Sequence, residues 1–334
     1  MSSHTRLLPR HFILSRLHSL TGLLIVIFLI EHMLTNSQAA LFFNEDGAGF
    51  VRMVNFIKSL PYLPVIEIML IGIPIAYHAV LGIRYAIQGK FNVHSKDGSS
   101  PSLPYGRNIA YTFQRLTAWI LLVGIIAHVA FMRFAIYPIH AQQGSATEYF
   151  VKLSMDQGLY TLTDRLGVVL YDQHAVEDKV KNLKEISLEI EKLHYALTQG
   201  NTGESDQGYS EQAARAYQKL QALQLEREWI EKLAKRPIDA HHVIGASKDF
   251  GTATLLNVRD AFKSPVKIAL YTIFVLAASF HGFNGLWTFM MTWGVMITRV
   301  SQKKALRICI IIMALIAFLG LISIYGTYLM NLKS

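Results

Sequence analysis

Five long apolar runs dominate the chain, each near the ~20 residues that a helix needs to cross a bilayer. They lie at roughly Leu14–Asn36, Leu63–Ile87, Thr112–Tyr137, Ile268–Trp293 and Leu306–Met330. Hydrocarbon offers a backbone no water to bond, so only helices and closed barrels survive there. Runs of this length select the helix. The expected fold is an all-α membrane protein with five transmembrane helices, four of them forming a bundle, plus a helical extramembrane insertion. Charged residues make up 16% of the 334, below the roughly 25% of soluble domains.

The runs divide the chain into residues 1–137 with helices I–III, a polar insertion at 138–264, and residues 265–334 with helices IV–V. Inside the insertion, Val176, Val180, Leu183, Ile190, Leu193 and Leu197 recur at helical spacing. Ala213, Ala216, Leu220, Leu223, Ile230 and Ala234 do so again after the turn-rich stretch Gly200–Asp206. Two amphipathic helices with a short connection predict an antiparallel hairpin. The pair His241-His242 is a weak metal candidate, and no long internal repeat stands out. Ser99-Ser100-Pro101-Ser102 marks a loop.

Short basic segments orient the chain rather than bind nucleic acid, although the net charge is +9. Arg6, Arg10 and Arg16 precede the first run, and Arg84, Lys90, Lys96, Arg107 and Arg115 lie between the second and third. Arg299, Lys303, Lys304 and Arg307 lie between the fourth and fifth, whereas the opposite side has Arg52, Lys58 and the tail residue Lys333. The positive-inside rule then puts the N-terminus in the cytoplasm, and the C-terminus and the insertion outside. The first run is too long for a cleavable secretory signal. The one cysteine, Cys309, excludes an internal disulfide, iron–sulfur ligation and covalent haem attachment through C-x-x-C-H. It reads as a buried apolar residue.

Ionisable residues inside lipid are expensive and point to function. Four apolar runs each carry a histidine, His32, His78, His128 and His281. Neutral imidazole is a standard axial ligand of haem iron. Helices I and III run outward with their histidines late; helices II and IV run inward with theirs past the middle. The four therefore sort by depth into an outer pair, His32/His128, and an inner pair, His78/His281. Such a bundle can hold one haem between each pair. Gly82, Gly124 and Gly285 lie four residues from His78, His128 and His281, on the same helix faces, where they leave room for a macrocycle. His18, near the inner start of helix I, reads as a propionate or interface partner. Arg16 and Arg115 are candidate partners of haem propionates, or snorkelling cations. Glu31 and Glu67 are candidate proton-handling residues at an outer quinone pocket.

The same residues resemble a known family. Arg16-Leu17-His18-Ser19-Leu20-Thr21-Gly22 and Phe28-Leu29-Ile30-Glu31-His32 are similar to the first helix of the five-helix, dihaem cytochrome b anchor of succinate:quinone oxidoreductase. Tyr77–Gly82, Gln114–Thr117 with Ala127–Val129, and Phe280–Trp287 with Thr292–Gly294 resemble its second, third and fourth. The resemblance covers everything but the insertion. It implies a subunit that anchors a flavoprotein and an iron–sulfur protein at the cytoplasmic membrane. Succinate oxidation at the flavin then feeds two b haems and a quinone, often menaquinone. It implies iron ligation by His32/His128 and His78/His281, the pairing that depth gives by itself. Family members usually join helices III and IV by a short connection, so the insertion is a departure. Some fumarate-reducing relatives have a glutamate two residues before the fourth-helix histidine, where this chain has Ser279. No nucleotide-binding fingerprint or cysteine cluster is present, so succinate chemistry falls to partners. The rival readings are the dihaem anchor of a hydrogenase or formate dehydrogenase, and a haem or solute transporter.

Overall fold

A computed structural model describes residues 9–42, 45–89, 105–199 and 207–331. Arg6, Lys90, Lys96, the Ser99–Ser102 loop, the Gly200–Asp206 stretch and Lys333 fall outside them. Five helices are long and apolar enough to cross a membrane: span one Arg10–Ser37, span two Leu63–Gln88, span three Gly106–Ala135, span four Pro265–Thr292 and span five Arg299–Leu329. Each begins or ends within a few residues of its apolar run, because polar flanks set the limits of burial in lipid. Large apolar side chains such as Ile27, Val80, Ile126 and Ile311 face outward, as in a bundle whose solvent is hydrocarbon rather than water.

The described residues form two compact units, one within Met1–Phe131 and Phe262–Tyr328 and the other within Met132–Ala261 and Leu329–Ser334. In the first unit, spans one to four make a four-helix ring in which span one packs on spans two and four, and span three packs on the same two. Span five lies against spans one and four. Small residues allow the close approach that drives packing in lipid. A Cβ on Gly282 would meet Leu29 at 3.2 Å and Val26 at 3.4 Å, and one on Gly320 would meet Met33 at 3.0 Å. Spans two, three and five each carry a π-helical turn, at Ile68–Gly72, Ala130–Ala135 and Ile322–Gly326.

The polar unit differs from the all-helical expectation for the insertion. It holds four strands, β1 Ile139–Gln143, β2 Ala146–Ser154, β3 Val169–Tyr171 and β4 His242–Ser247. They form one antiparallel sheet in the order β1-β2-β4-β3. Helices α1 Gln157–Arg165, α2 Gln173–Lys181, α3 Leu183–Gln199, α4 Gln207–Leu233 and α5 Phe250–Ala261 cover it. Strand side chains alternate between faces, and the two cores follow that period. Phe150, Ile244 and Ala246 pack with Val176, Ile186, Ile190, Leu220 and Trp229 on one face. Val151, Leu153 and Val243 pack with Leu159, Leu162 and Leu256 on the other. Helices α3 and α4 lie against each other, with Glu189 and Lys219 paired across them at 2.5 Å.

Two buried polar contacts fix this unit. Trp229 Nε1 donates to Glu148 Oε2 at 2.9 Å. Arg259, 1% exposed, forks onto both oxygens of Asp156 at 2.7 and 3.0 Å, while Asp156 caps α1 through the Leu159 N–H. Removing Arg259 leaves the part-buried Asp156 carboxylate without its charge partner. Arg259→Leu is therefore expected to cost the unit about 3 kcal/mol. Amide exchange in β2 and β4 then speeds by on the order of 100-fold, with the spans unaffected.

Candidate histidine sites in the bundle

The four span histidines meet as two diagonals of the ring. His32 of span one and His128 of span three have ring centres 5.9 Å apart and planes at 84°. His78 of span two and His281 of span four have ring centres 6.3 Å apart and planes at 79°. The helical rise puts the two pairs roughly 15–20 Å apart in depth. Both pairings are those that the depth argument gave.

A contact to a neighbouring element occupies Nδ1 in three of the four rings. His78 Nδ1–H donates to the carbonyl of His18 in span one at 3.0 Å. His281 Nδ1–H donates to the carbonyl of Gln114 in span three at 3.2 Å, with Thr117 Oγ1 also 3.2 Å away. A carbonyl can only accept, so both inner histidines carry their proton on Nδ1 and keep the Nε2 lone pair. His128 Nδ1 lies 3.1 Å from the Tyr271 hydroxyl of span four. His32 is held within its own helix, where Asn36 Nδ2 donates to its carbonyl at 2.7 Å and lies 3.4 Å from Nδ1. This leaves Nε2 as the nitrogen that could ligate a metal.

His18 sits elsewhere than the sequence suggests. Its ring stacks on His78, 4.0 Å between centres and 13° between planes, and meets Tyr85 edge-on. Gly22 gives His78 its room, since a Cβ there would approach the ring at 2.9 Å. The signal was a glycine one turn after His18, facing the next helix. The three glycines flagged beside histidines face other side chains: Gly82 faces His18, Gly124 faces Phe274 and Gly285 faces Gln114.

Arg16 and Arg115 close helix ends, a role the sequence did not give. Arg115 Nη2 donates to the carbonyls of Ala86 and Gly89 at 2.7 and 2.6 Å, where span two finishes. Arg16 donates to the carbonyl of Thr292, the last residue of span four, and lies 5.2 Å over Trp293. Cations there complement the negative end of the helix dipole. Glu31 is exposed and accepts from Thr35 at 2.8 Å. Glu67 is half-buried and immediately precedes the π turn of span two, which packs against span one. In the polar unit, Asp239 takes His242 Nδ1 at 2.8 Å and the His241 N–H at 2.8 Å. The His242 bond, then the His241 bond, hold its carboxyl below the usual range. Among the described residues no three His, Cys, Asp or Glu side chains converge as a metal site.

Residues 4–103 match the family model described as "Succinate dehydrogenase/Fumarate reductase transmembrane subunit". The chain is also 23% identical to the "Succinate dehydrogenase cytochrome b558 subunit" of Bacillus subtilis (strain 168), over 95% of this chain and 97% of that one. No solved structure matches at a comparable level.

Loss of the Arg115 cap frees two carbonyls at the end of span two. Arg115→Leu is expected to speed amide exchange in the last turn of that span by about 10-fold. The last turn of span four, closed by Arg16, serves as the unaffected control.

Proposed function

We propose that the chain, a multi-pass transmembrane subunit of the succinate dehydrogenase/fumarate reductase kind, is a dihaem cytochrome b that passes electrons between partner subunits and quinone. The observation that carries this reading is the pair of diagonals. With a metal–nitrogen bond of about 2 Å on each side, two coaxial imidazoles hold their ring centres about 6 Å apart. The separations of 5.9 and 6.3 Å fit that spacing. Two nitrogens per site also suit an iron whose other four ligands come from a porphyrin. His78 and His281 already hold the ligating tautomer, so no proton has to leave Nε2.

Haem b held at each level supplies one-electron transfer. The chain's own residues do the rest. His32/His128 and His78/His281 are the residues that would hold iron at the two depths. Neighbouring-span contacts to three of the Nδ1 atoms orient the rings, and the two that go to carbonyls make His78 and His281 better ligands. Arg16 and Arg115 keep cations at the inner-pair end, where haem propionates need counter-charge. In the orientation given by the basic segments, that end faces the cytoplasm and its flavoprotein and iron–sulfur partners. Glu31 and Glu67 lie at the outer end, where quinone reduction needs protons. The match over residues 4–103 favours succinate or fumarate over hydrogen or formate as the partner's substrate.

The test is the purified complex. A pyridine haemochrome assay is expected to give two b haems per polypeptide, and each of His32→Ala, His78→Ala, His128→Ala and His281→Ala is expected to lose one or both. Material with no b-type absorbance ends the reading. For the carboxylates, Glu67→Gln is expected to slow quinone turnover at least 10-fold while the haem spectra stay normal. Wild-type turnover in both Glu31→Gln and Glu67→Gln removes them from the proton path.

A further inference from the structure

The bundle contains a repeat that apolar patterning hides. His18-Ser19-Leu20-Thr21 in span one corresponds to Gln114-Arg115-Leu116-Thr117 in span three. Fourteen residues after the first member of each comes the outer histidine, His32 or His128. The bonding repeats as well. The carbonyl of His18 accepts from His78, and the carbonyl of Gln114 from His281. Thr21 Oγ1 donates to the carbonyls of Leu17 and His18, and Thr117 Oγ1 to those of Phe113 and Gln114.

The two halves differ in the side chain that faces the inner histidine. His18 stacks its ring on His78. Gln114 instead makes directed bonds: Nε2 donates to the His281 carbonyl at 3.0 Å, and Oε1 accepts from Asn284 Nδ2 at 2.8 Å. With its own carbonyl on His281 Nδ1, Gln114 grips span four at three points within one helical turn.

We propose that Gln114 is the positioning residue of His281, and that it tunes the inner haem through that histidine. The proposal rests on the dihaem reading above. The bond from Nδ1–H to the Gln114 carbonyl sets how basic the imidazole is, and hence how well it stabilises ferric iron. That bond depends on where the backbone of span three sits against span four. The two side-chain bonds hold it there. Without them the carbonyl drifts, the Nδ1 bond weakens and the ligand becomes less basic.

The experiment is Gln114→Leu in the whole complex, read by redox titration of the haem α-bands and by low-temperature electron paramagnetic resonance. The variant is expected to keep two haems per chain. The inner haem's midpoint potential rises and its low-spin g-values move, while the outer haem keeps both. An unchanged inner haem overturns the proposal, and so does an equal shift in both haems. Should Gln114→Leu not accumulate, Asn284→Ala removes one of the two side-chain bonds and gives a smaller shift confined to the inner haem; no shift there is equally fatal. Absence of haem from the wild-type complex defeats the underlying reading instead, and shows before any variant is made.

Discussion

An imidazole in lipid must find a use for both of its nitrogens, and the bundle is arranged around that need. Three of the four histidines direct Nδ1 to a neighbouring span: two to backbone carbonyls and one to a tyrosine hydroxyl. His32 uses an amide one turn along its own helix. Because spans one and three each place a carbonyl beside the histidine of the next span, adjacent helices are tied by hydrogen bonds. The Nε2 atoms are left to meet across the ring. Packing alone would permit many rotations of an apolar helix, since lipid is as apolar as leucine. These bonds select one.

The ends of the helices obey a related rule. A helix finishing at the membrane edge exposes carbonyls that need donors. Spans two and four, which end about three turns beyond His78 and His281, receive theirs from Arg115 and Arg16 on the antiparallel neighbours. The same guanidiniums gather positive charge at this end of the bundle.

Much of this was legible in the sequence. The five spans followed from run length, and the two histidine pairs from helix direction and position. What stayed hidden is what has no one-dimensional signature. The stacking of His18 on His78 depends on the rotation of two helices. The carbonyl of Gln114 is a backbone atom, which no residue type announces. The repeat of His18–Thr21 in Gln114–Thr117 is four residues long with two identities, and only its fourteen-residue distance to the outer histidines distinguishes it from chance. The sheet of the polar unit was missed because three of its strands are short, the longer β2 mixes polar with apolar residues, and all sit among charged helices. Val243-Ile244-Gly245-Ala246 was the one run apolar enough to betray a strand buried on both faces.

Chain order gives the diagonals a temporal side. His32 and His128 are both synthesised before the sheet-bearing segment, whereas His281 emerges only after all of it. The His32/His128 crossing is thus available to a growing polypeptide from its first three hydrophobic helices, and the His78/His281 crossing waits until the whole intervening module has been made. The two histidine pairs are therefore completed in order, and a chain halted within the intervening module would hold only the first of them.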